Sequence, residues 1–366
     1  MKLDCVKDHL RDAVSQADRM TGKNLALPVL RLVLLIAKEN TLTLRSTNLD
    51  IGFEITIPAR VEHPGIVALQ GDVLGNFLTN LTGDKNVRLE LINQNISISS
   101  SQNSTLINAH PHEDFPTIPR ITKGSRLSIG SALFVDGIRS VAFCAANTDI
   151  KPEFSSIYIY ADAGSLWFVA TDQSRLAEKR ISVSGTMDFA PFLLPVKNAL
   201  EIVRVLESQN EEVEIMISKN QISVTTSRSY VTSRLTEGNF PDYKQIIPKV
   251  STTNVVGLRS DILAALRLTT VVSGKMQQVR LKAYPEERVF EVEARNSDIG
   301  ESTTRIPTSI SGDPVEMLFN LKLLMDVFQV ISTDSIGLEF NSTIKVLILR
   351  GVSDASFCFL LKPLRG

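Results

Sequence analysis

The sequence predicts an α+β protein built from three tandem copies of one module. A polar motif that follows an alternating apolar run recurs at a constant spacing of 124 residues and is marked by Thr47, Thr171 and Arg295. An apolar helical stretch follows each motif, with the centres of these stretches 126 and 124 residues apart, at Leu74, Leu200 and Leu324. A repeat this long indicates repeated domains, because the units of solenoid proteins are about 20–50 residues long.

Each module is predicted to begin with a helix. Apolar residues at helical spacing place the first two of these helices over residues 6–20 and 131–144, with Leu133 and Ile138 in the apolar stripe of the second. In the third module, Ser260 and Asp261 are predicted to cap the corresponding helix.

Strands of alternating character follow each first helix. Residues 155–160 and 166–169 have the composition of a hairpin whose turn contains Gly164. A second helix is predicted in every module, over residues 73–81, 194–206 and 317–331. Each module then closes with a pair of strands, 87–91 with 96–100, 213–217 with 222–226, and 337–340 with 346–349. Two helices on one face of an antiparallel sheet make an α+β layer arrangement.

The domain borders are predicted from polar junctions and from a shared closing signature. Phe115-Pro116 and Phe240-Pro241 stand 125 residues apart, and short polar stretches follow them near Gly124 and Val250. The predicted domains are residues 1–123, 124–250 and 251–366. A chain of 366 residues is long enough for two or three domains of ordinary size. The junctions are too short for flexible linkers, so we expect closely joined modules.

The composition is that of an ordinary soluble globular protein, with 43% hydrophobic and 22% charged residues. The net charge of −1 excludes nucleic-acid binding by bulk positive charge. Cys5, Cys144 and Cys358 are odd in number, far apart and without a CxxC pair, which favours reduced thiols in a cytosolic protein. The sequence shows neither a signal peptide nor an apolar stretch of bilayer length, so we expect a cytoplasmic protein that does not contact membranes.

Signals for enzyme chemistry are weak. His110 and His112 with Glu113 and Asp114 could form a metal cluster by composition, but Pro111 favours a surface loop. An enzyme on a triplicated scaffold would need an unrecognised site near these two histidines. Asp50 and Asp172 lie in the repeated motif, so we interpret them as turn-forming residues. The sequence contains no GxxxxGK[ST], GxGxxG or GxSxG motif, and we predict no catalytic residue, metal or cofactor.

Five segments, taken in order and at these spacings, carry a resemblance to a known family. They are Leu27-Pro28-Val29-Leu30, Thr47-Asn48-Leu49-Asp50, Val169-Ala170-Thr171-Asp172 followed by Arg175-Leu176, Phe240-Pro241-Asp242-Tyr243 followed by Ile247-Pro248, and Pro363-Leu364-Arg365. Over its whole length the chain resembles the β subunits of bacterial DNA polymerase III, the replicative sliding clamps.

The resemblance implies the DNA-clamp fold and a head-to-tail homodimer that closes six modules into a ring. Helices would line the ring around duplex DNA, which would be held without sequence preference. Such a clamp is a processivity factor and not an enzyme. Its implied partners are the replicative polymerase, the clamp loader, and other polymerases and mismatch-repair or ligase-type proteins that dock through short peptides.

The same resemblance implies a partner-peptide groove between the second and third domains. Its residues would be Phe154, Thr171, Arg175, Leu176, Pro241, Ile246, Leu360, Pro363, Leu364 and Arg365. Hydrophobic anchors of the peptide would bury against the apolar members, while Thr171 and Arg175 would supply orienting hydrogen bonds. Without the resemblance, the simpler interpretation of Leu176, Leu360 and Leu364 is that they are core residues.

Four positions depart from the family pattern in the groove. Gln173-Ser174 replaces a commoner Gly-His pair, Lys362 stands where Met is frequent, and Gln245 replaces a frequent Arg. These departures motivate an alternative reading, a clamp paralogue with altered partner choice, such as a self-resistance or plasmid-borne copy.

Two further surfaces follow from the resemblance. The basic residues expected to face DNA are Lys23, Arg19, Arg139, Lys197, Arg204 and Arg267, although about half of such positions would be ordinary solvated side chains. The dimer interface is expected to pair an edge strand containing Thr105 and Ile107 with an edge strand of the third domain around Val271 and Val272.

Overall fold

The computed structural model describes residues 1–22, 27–148, 150–183, 188–207 and 209–364. The first module contains strands and helices in the order β1 (Lys2–Val6), α1 (Lys7–Arg19), β2 (Leu32–Lys38), β3 (Thr41–Thr47), β4 (Ile51–His63), β5 (Gly65–Gln70), α2 (Gly71–Asn80), β6 (Asn86–Ile92), β7 (Asn95–Ser99) and β8 (Ser104–Asn108).

The second module repeats this order, and the third has one more strand between its two helices. The second contains β9 (Ser125–Gly130), α3 (Ser131–Ala142), β10 (Ser156–Asp162), β11 (Ser165–Thr171), β12 (Arg175–Ser182), β13 (Phe192–Pro195), α4 (Val196–Leu206), β14 (Glu212–Ile217), β15 (Gln221–Thr225) and β16 (Ser229–Arg234). The third contains β17 (Thr253–Leu258), α5 (Arg259–Val272), β18 (Gln278–Tyr284), β19 (Val289–Asn296), β20 (Gly300–Ile306), β21 (Thr308–Gly312), β22 (Val315–Asn320), α6 (Leu321–Asp326), β23 (Ser335–Asn341), β24 (Val346–Gly351) and β25 (Asp354–Leu361). The α+β prediction with three similar modules is therefore confirmed.

Every helix follows directly on a strand, which the sequence prediction missed. Residues 194 and 195, predicted as helix, belong to β13, and residues 317–320 belong to β22. Apolar residues are contiguous there, so the apolar pattern of each helix extends into the strand before it. One stripe assignment was also wrong, since Leu133 is exposed. In α5 the N-cap is Leu258, with no side-chain cap hydrogen bond, so the predicted cap of Ser260 and Asp261 is wrong as well.

The chain divides into two compact units. The first holds the first module together with β9 and β14–β16, and the second holds β10–β13 and the third module. All strand pairs are antiparallel. In the first unit, nine of twelve strands follow the order β8-β7-β6-β1-β4-β16-β15-β14-β9, and β5-β2-β3 joins the sheet through β4. The second unit has a nine-stranded sheet, β13-β10-β11-β12-β25-β24-β23-β17-β21, and a four-stranded sheet, β20-β19-β18-β22.

Each unit contains one pairing between strands of consecutive modules. In the first unit β4 pairs with β16, which we call the first joint, and Gly52 lies opposite Thr232. In the second unit β12 pairs with β25, which we call the second joint, and Leu176 lies opposite Leu360. Both joints pair the strand after the repeated motif with the last strand of the next module.

Candidate functional site

The repeated motif forms a tight turn that is held by its own side chains. In the second module, Thr171 Oγ1 donates to the carbonyl of Arg175 (2.6 Å) and accepts from Gln173 N (3.0 Å). Asp172 Oδ1 accepts from the backbone N–H groups of Ser174 and Arg175. Gln173 takes a φ of 76°, in the left-handed region. Polar side chains that bond to nearby backbone in this way are typical of turns, so the interpretation of Asp172 as a turn residue is confirmed.

The first module has the same turn. Thr47 Oγ1 donates to the carbonyl of Ile51 (2.8 Å), Asn48 takes the place of Asp172, and Leu49 has a φ of 78°. Asp50 corresponds to Ser174 and not to Asp172, so Asn48 fixes this turn and the interpretation of Asp50 was wrong. The third module has a turn one residue longer, because Arg295 pairs with Glu301 where Thr171 pairs with Leu176.

Arg175 follows the turn, and its side chain is a partly buried, paired cation. Its Nε donates to Asp172 Oδ2 (3.1 Å), its Nη1 donates to Asp326 Oδ2 (2.5 Å), and its guanidinium lies 5.5 Å from the centre of the Phe143 ring. Burial alone lowers the pKa of this guanidinium, but the hydrogen bond to Asp326 and the nearby charges raise the pKa above its ordinary value. Arg175 is therefore a fixed charge whose field is largely compensated.

Seven of the predicted groove residues line one cavity of about 280 Å³. They are Phe154, Thr171, Arg175, Leu176, Pro241, Ile246 and Leu360. Leu176 and Leu360 are each 1% exposed and belong to the apolar core beneath, so they form the floor, and the reading of these two as core residues is correct as well. The volume is near the lower end of ligand pockets and suits a few anchoring side chains.

The remaining predicted residues lie elsewhere. Pro363 and Leu364 are half-buried beyond β25, where Leu364 N donates to the carbonyl of Leu318 (2.7 Å), and they are not among the cavity-lining residues. Arg365 lies outside the described residues. Thr171 lines the cavity, but its hydroxyl proton is donated within the turn.

Four lining residues were not assigned to the groove from sequence. They are Gln173, Asp242, Tyr243 and Lys362. Gln173 and Lys362 carried a signal, since both depart from the family pattern. Lys362 is exposed, whereas Asp242 accepts a hydrogen bond from Gln245 Nε2 (2.7 Å). Tyr243 lay inside a recognised segment, but no feature of that segment distinguished its side chain from a core tyrosine.

One wall of the cavity is a stretch of backbone that lies on the sheet, residues 240–247, which we call the covering segment. Tyr243 is its buried member, and Tyr243 Oη donates to Glu178 Oε2 (2.5 Å). Burial and this hydrogen bond raise the pKa of Tyr243, so the hydroxyl keeps its proton. Phe240 stacks on Tyr158 with ring centres 4.8 Å apart. The groove is thus formed by a rigid turn, a core floor and a covering segment.

The predicted DNA-facing residues that the structure describes are all exposed and lie on helices. Arg19 is on α1, Arg139 on α3, Lys197 and Arg204 on α4, and Arg267 on α5. Arg204 forms an ion pair with Glu201 one helical turn away. Lys23 lies outside the described residues. Contact with phosphate stays a prediction for the other five.

Of the two edge strands predicted for the dimer interface, the structure has a strand at the first and a helix at the second. Thr105 and Ile107 lie in β8, which ends the large sheet of the first unit. Val271 and Val272 end helix α5, so the prediction that they lie in an edge strand was wrong. The β-branched run Thr269–Val272 reads as strand from propensity, but α5 buries Ile262, Leu266 and Thr269 at helical spacing. The four-stranded sheet ends in β20 on one side and in β22 on the other.

The histidine cluster is a surface loop. His110 N donates to the carbonyl of Ala68 (2.9 Å), and Glu113 folds back to accept from His112 N (3.0 Å). Hydrogen bonds from the backbone N–H groups of Glu113 and His112 lower the pKa of the Glu113 carboxyl. Within the described ranges, no group of three or more His, Cys, Asp or Glu side chains is arranged to hold a metal ion. No helix in those ranges is long and apolar enough to span a bilayer.

Three family models match consecutive parts of the chain. They describe the N-terminal domain of the DNA polymerase III beta subunit (residues 1–119), its central domain (128–242) and its C-terminal domain (244–365). The beta sliding clamp of Synechococcus elongatus is 25% identical over 372 residues, covering 100% of this chain and 99% of the relative. The Bacillus subtilis beta sliding clamp is 24% identical over 378 residues, covering all of both chains.

Solved structures agree on the fold. The DNA polymerase III beta subunit of Thermotoga maritima has a TM-score of 0.94 at 23% identity, covering 100% of this chain and 99% of that one. A Pseudomonas aeruginosa sliding clamp bound to griselimycin also has a TM-score of 0.94, at 24% identity, with full coverage of both. The fold is that of the DNA sliding clamps. The chain belongs to the DNA polymerase III beta subunit family, and none of the relatives named here favours the alternative of a paralogue with altered partner choice.

Proposed function

We propose that this chain works as the sliding clamp of a replicative polymerase. Two copies close head to tail around duplex DNA, and the groove at the second joint docks peptides of the polymerase, the clamp loader and repair proteins. The role is mechanical, since a ring that encircles DNA raises processivity by topology and needs no catalytic residue. The proposed site of action is the cytoplasm, where a bacterial chromosome lies.

The observation that carries the ring is a pairing rule within the chain. At both joints the strand that follows the repeated turn pairs with the last strand of the next module, β4 with β16 and β12 with β25. Two strands of these kinds have no such partner within the chain, and each lies at the edge of a sheet. They are β20, which follows the third turn, and β8, the last strand of the first module. A second copy supplies the missing partner for each, so the same contact made twice more closes a ring of six modules.

The rule also predicts the register of the new pairing. Gly52 faces Thr232 at the first joint and Leu176 faces Leu360 at the second. Strand pairings inside the modules make Glu301 the equivalent of Leu176, and Leu106 the equivalent of Leu360. Leu106 of one copy therefore faces Glu301 of the other.

Apolar surface beside β20 supports a buried contact there. Helix α5 packs on β20, and its last turn leaves Val271 73% exposed. Ile299, just before β20, is 56% exposed, and Leu106 on β8 is 58% exposed. Exposed apolar surface of this kind is typical of a surface that a partner covers. Val271 thus retains an interface role in the proposal, as helix surface beside the paired strands.

Sliding follows from how such a ring would hold DNA. Exposed basic residues on the helices contact phosphates, which are the same at every base pair, so no position on the duplex is preferred. The net charge of −1 is compatible with this role, because topology and not affinity keeps the ring on the duplex.

The groove gives the ring its partners. The floor of Leu176 and Leu360 is apolar, and Phe154, Pro241 and Ile246 add apolar surface to the cavity lining. A short peptide with a glutamine and a terminal hydrophobic pair buries the pair on this floor, since apolar anchors dominate small interfaces. Arg175 is already paired with Asp172 and Asp326, so it shapes the pocket and recognises no acidic group strongly.

The proposal is tested by locking the ring on DNA. In a variant carrying both Leu106→Cys and Glu301→Cys, the new cysteines face each other across the predicted contact, where opposed Cβ atoms are close enough for a disulfide. The variant is loaded onto nicked circular DNA, oxidised, and washed in high salt before and after the circle is linearised. We expect a covalent dimer that stays on the circle and leaves the linear DNA.

The matched control is Leu106→Cys with Ser302→Cys, because neighbouring residues of a strand point to opposite faces. It should give far less covalent dimer. Equal retention on circular and linear DNA would overturn the ring, and equal cross-linking of both variants would overturn the register.

A further inference from the structure

We propose that a hydroxyl network formed by Tyr160, Tyr243 and Glu178 holds the covering segment in place and so sets the peptide affinity of the groove. This inference rests on the proposed function, since it assigns positioning residues to the same groove. Neither Tyr160 nor Glu178 lines the cavity; both act through Tyr243, which does.

The hydrogen bonds have a defined direction. Tyr243 Oη has a single proton and donates it to Glu178 Oε2 (2.5 Å). Tyr160 Oη lies 2.7 Å from Tyr243 Oη, and since the proton of Tyr243 is already used, Tyr160 is the donor to Tyr243. Tyr243 thus makes two hydrogen bonds to strands of the sheet, one with β12 and one with β10. A bond to an ionised carboxylate is among the stronger kinds in proteins.

Tyr243 is the one deeply inserted side chain of its part of the covering segment. It is 4% exposed, while its neighbours Pro241, Asp242, Lys244 and Gln245 are all exposed. Ile246, which also lines the cavity, is 38% exposed. This part of the cavity wall therefore depends on a single buried anchor.

Hydrogen bonds, and not apolar contact, fix where that anchor sits. The surface under the segment is a row of aromatic rings in which Tyr160 stacks on Trp167 at 6.0 Å, and Phe240 of the segment itself stacks on the Tyr158 ring of that row. Burial on such a surface is favourable but non-directional, so the segment could shift along it at little cost. The two hydroxyl bonds are directional and remove that freedom.

The first joint supports this assignment independently. Glu54 is the repeat equivalent of Glu178, as their pairings with Tyr230 and Cys358 show. Glu54 forms an ion pair with Arg120, which lies in the corresponding segment of the first module. The same glutamate position thus anchors the segment at both joints, through an arginine in one and a tyrosine in the other.

The network also supplies a spectroscopic reporter. Trp167, the single tryptophan of the chain, stacks on Tyr160 with an interplanar angle of 5°. A peptide that contacts Tyr243 changes the surroundings of Tyr160, and through it those of Trp167. We expect peptide binding to change the emission of Trp167 in the native chain, and this change to shrink when the network is cut.

The experiment measures the affinity of a fluorescein-labelled synthetic peptide that carries a glutamine and ends in leucine–phenylalanine. Tyr243→Phe removes only the hydroxyl, and we expect about tenfold weaker binding, as for the loss of a charge-assisted hydrogen bond. Glu178→Met should have the same effect. Glu178→Gln keeps an acceptor for Tyr243 and should recover most of the affinity. Tyr160→Phe should cost about threefold, since it removes only the outer bond.

Tyr230→Phe is the matched control. It removes a hydroxyl that holds backbone of the equivalent segment at the first joint, where Tyr230 Oη binds Pro119 and Ile121, so peptide affinity should not change. If the unmodified chain does not bind the peptide, the proposed function fails. If it binds, and Tyr243→Phe and Glu178→Met bind as tightly, the network inference is wrong. Equal losses in Glu178→Gln and Glu178→Met would also overturn it.

Discussion

The two joints of this chain share one construction, but the groove described here lies at the second. Both pair equivalent strands in the same register, and both are covered by a segment that begins with a Phe-Pro pair, at Phe115 and Phe240. Ile118 occupies in the first segment the position of Tyr243 in the second, 125 residues later. At the first joint Ile118 is buried directly on Gly52, where an added Cβ would lie 2.9 Å from Ile118 Cγ2.

The two joints therefore differ at two equivalent pairs of residues, one residue of each pair on the strand and one on the covering segment. Gly52 and Ile118 let segment and strand meet closely, whereas Leu176 and Tyr243 stand beside a cavity of about 280 Å³. The strand pairing, the turn and the anchoring glutamate are common to both joints. Functional sites on repeated scaffolds thus need few substitutions, because the scaffold already fixes the backbone on each side.

The largest effect is expected from truncating the groove floor. Leu176→Ala removes a side chain that is 1% exposed, and we expect a loss of about 2–5 kcal/mol in the free energy of unfolding, with loss of peptide binding. Urea denaturation measures the first and peptide titration the second. Ile246→Ala, which removes a partly exposed side chain from the other wall, should cost less than about 1 kcal/mol. Equal costs would mean that the floor is not part of the core.

A smaller effect is expected from making the first joint resemble the second. Gly52→Leu places a side chain against Ile118 and Thr232, whose Cγ2 atoms lie 2.9 and 3.1 Å from the new Cβ position. Overpacking of this kind typically costs about 1–3 kcal/mol. The control is Gly130→Leu, since no heavy atom lies within 4 Å of a Cβ at that position. If Gly52→Leu were as stable as the control, the close contact at the first joint would be disproved.

How far the sequence predicts this structure depends on the kind of signal. The modules and the turn were predictable because Thr47 and Thr171 use the same local hydrogen bonds, and local bonding is written in a few adjacent residues. The groove residues came from the family resemblance. Tyr243 was missed because its role depends on Glu178, a residue 65 positions away that touches it only in the folded chain.

The errors have a common physical origin. Residues 194–195 and 317–320 were assigned to helices because contiguous apolar residues satisfy either a helix or a strand pattern over short stretches. Tertiary packing decides such cases, and a single sequence does not contain it. Val271 shows a limit of the family resemblance instead. The resemblance predicted an interface position for this residue but gave it the wrong secondary structure, because Val271 lies at the end of helix α5.

The smallest effect concerns Cys358, which holds the position of Tyr230 at the second joint and has no hydroxyl to offer the covering segment. Burial raises the pKa of its thiol to about 12, from 9.0 when exposed. As pH rises past 9 the unfolded chain loses this proton while the folded chain keeps it, so stability is full below pH 9 and falls between pH 9 and about 12.

Between pH 8 and 10 the free energy of unfolding should fall by about 1.4 kcal/mol more in the native chain than in Cys358→Ala, measured by urea denaturation. Cys5→Ala should behave like Cys358→Ala, because burial raises the pKa of Cys5 to about 12 as well. Identical pH dependence in the native chain and in Cys358→Ala would mean that water reaches the thiol beneath the groove, and that the core layer under Leu176 and Leu360 is looser than the first joint.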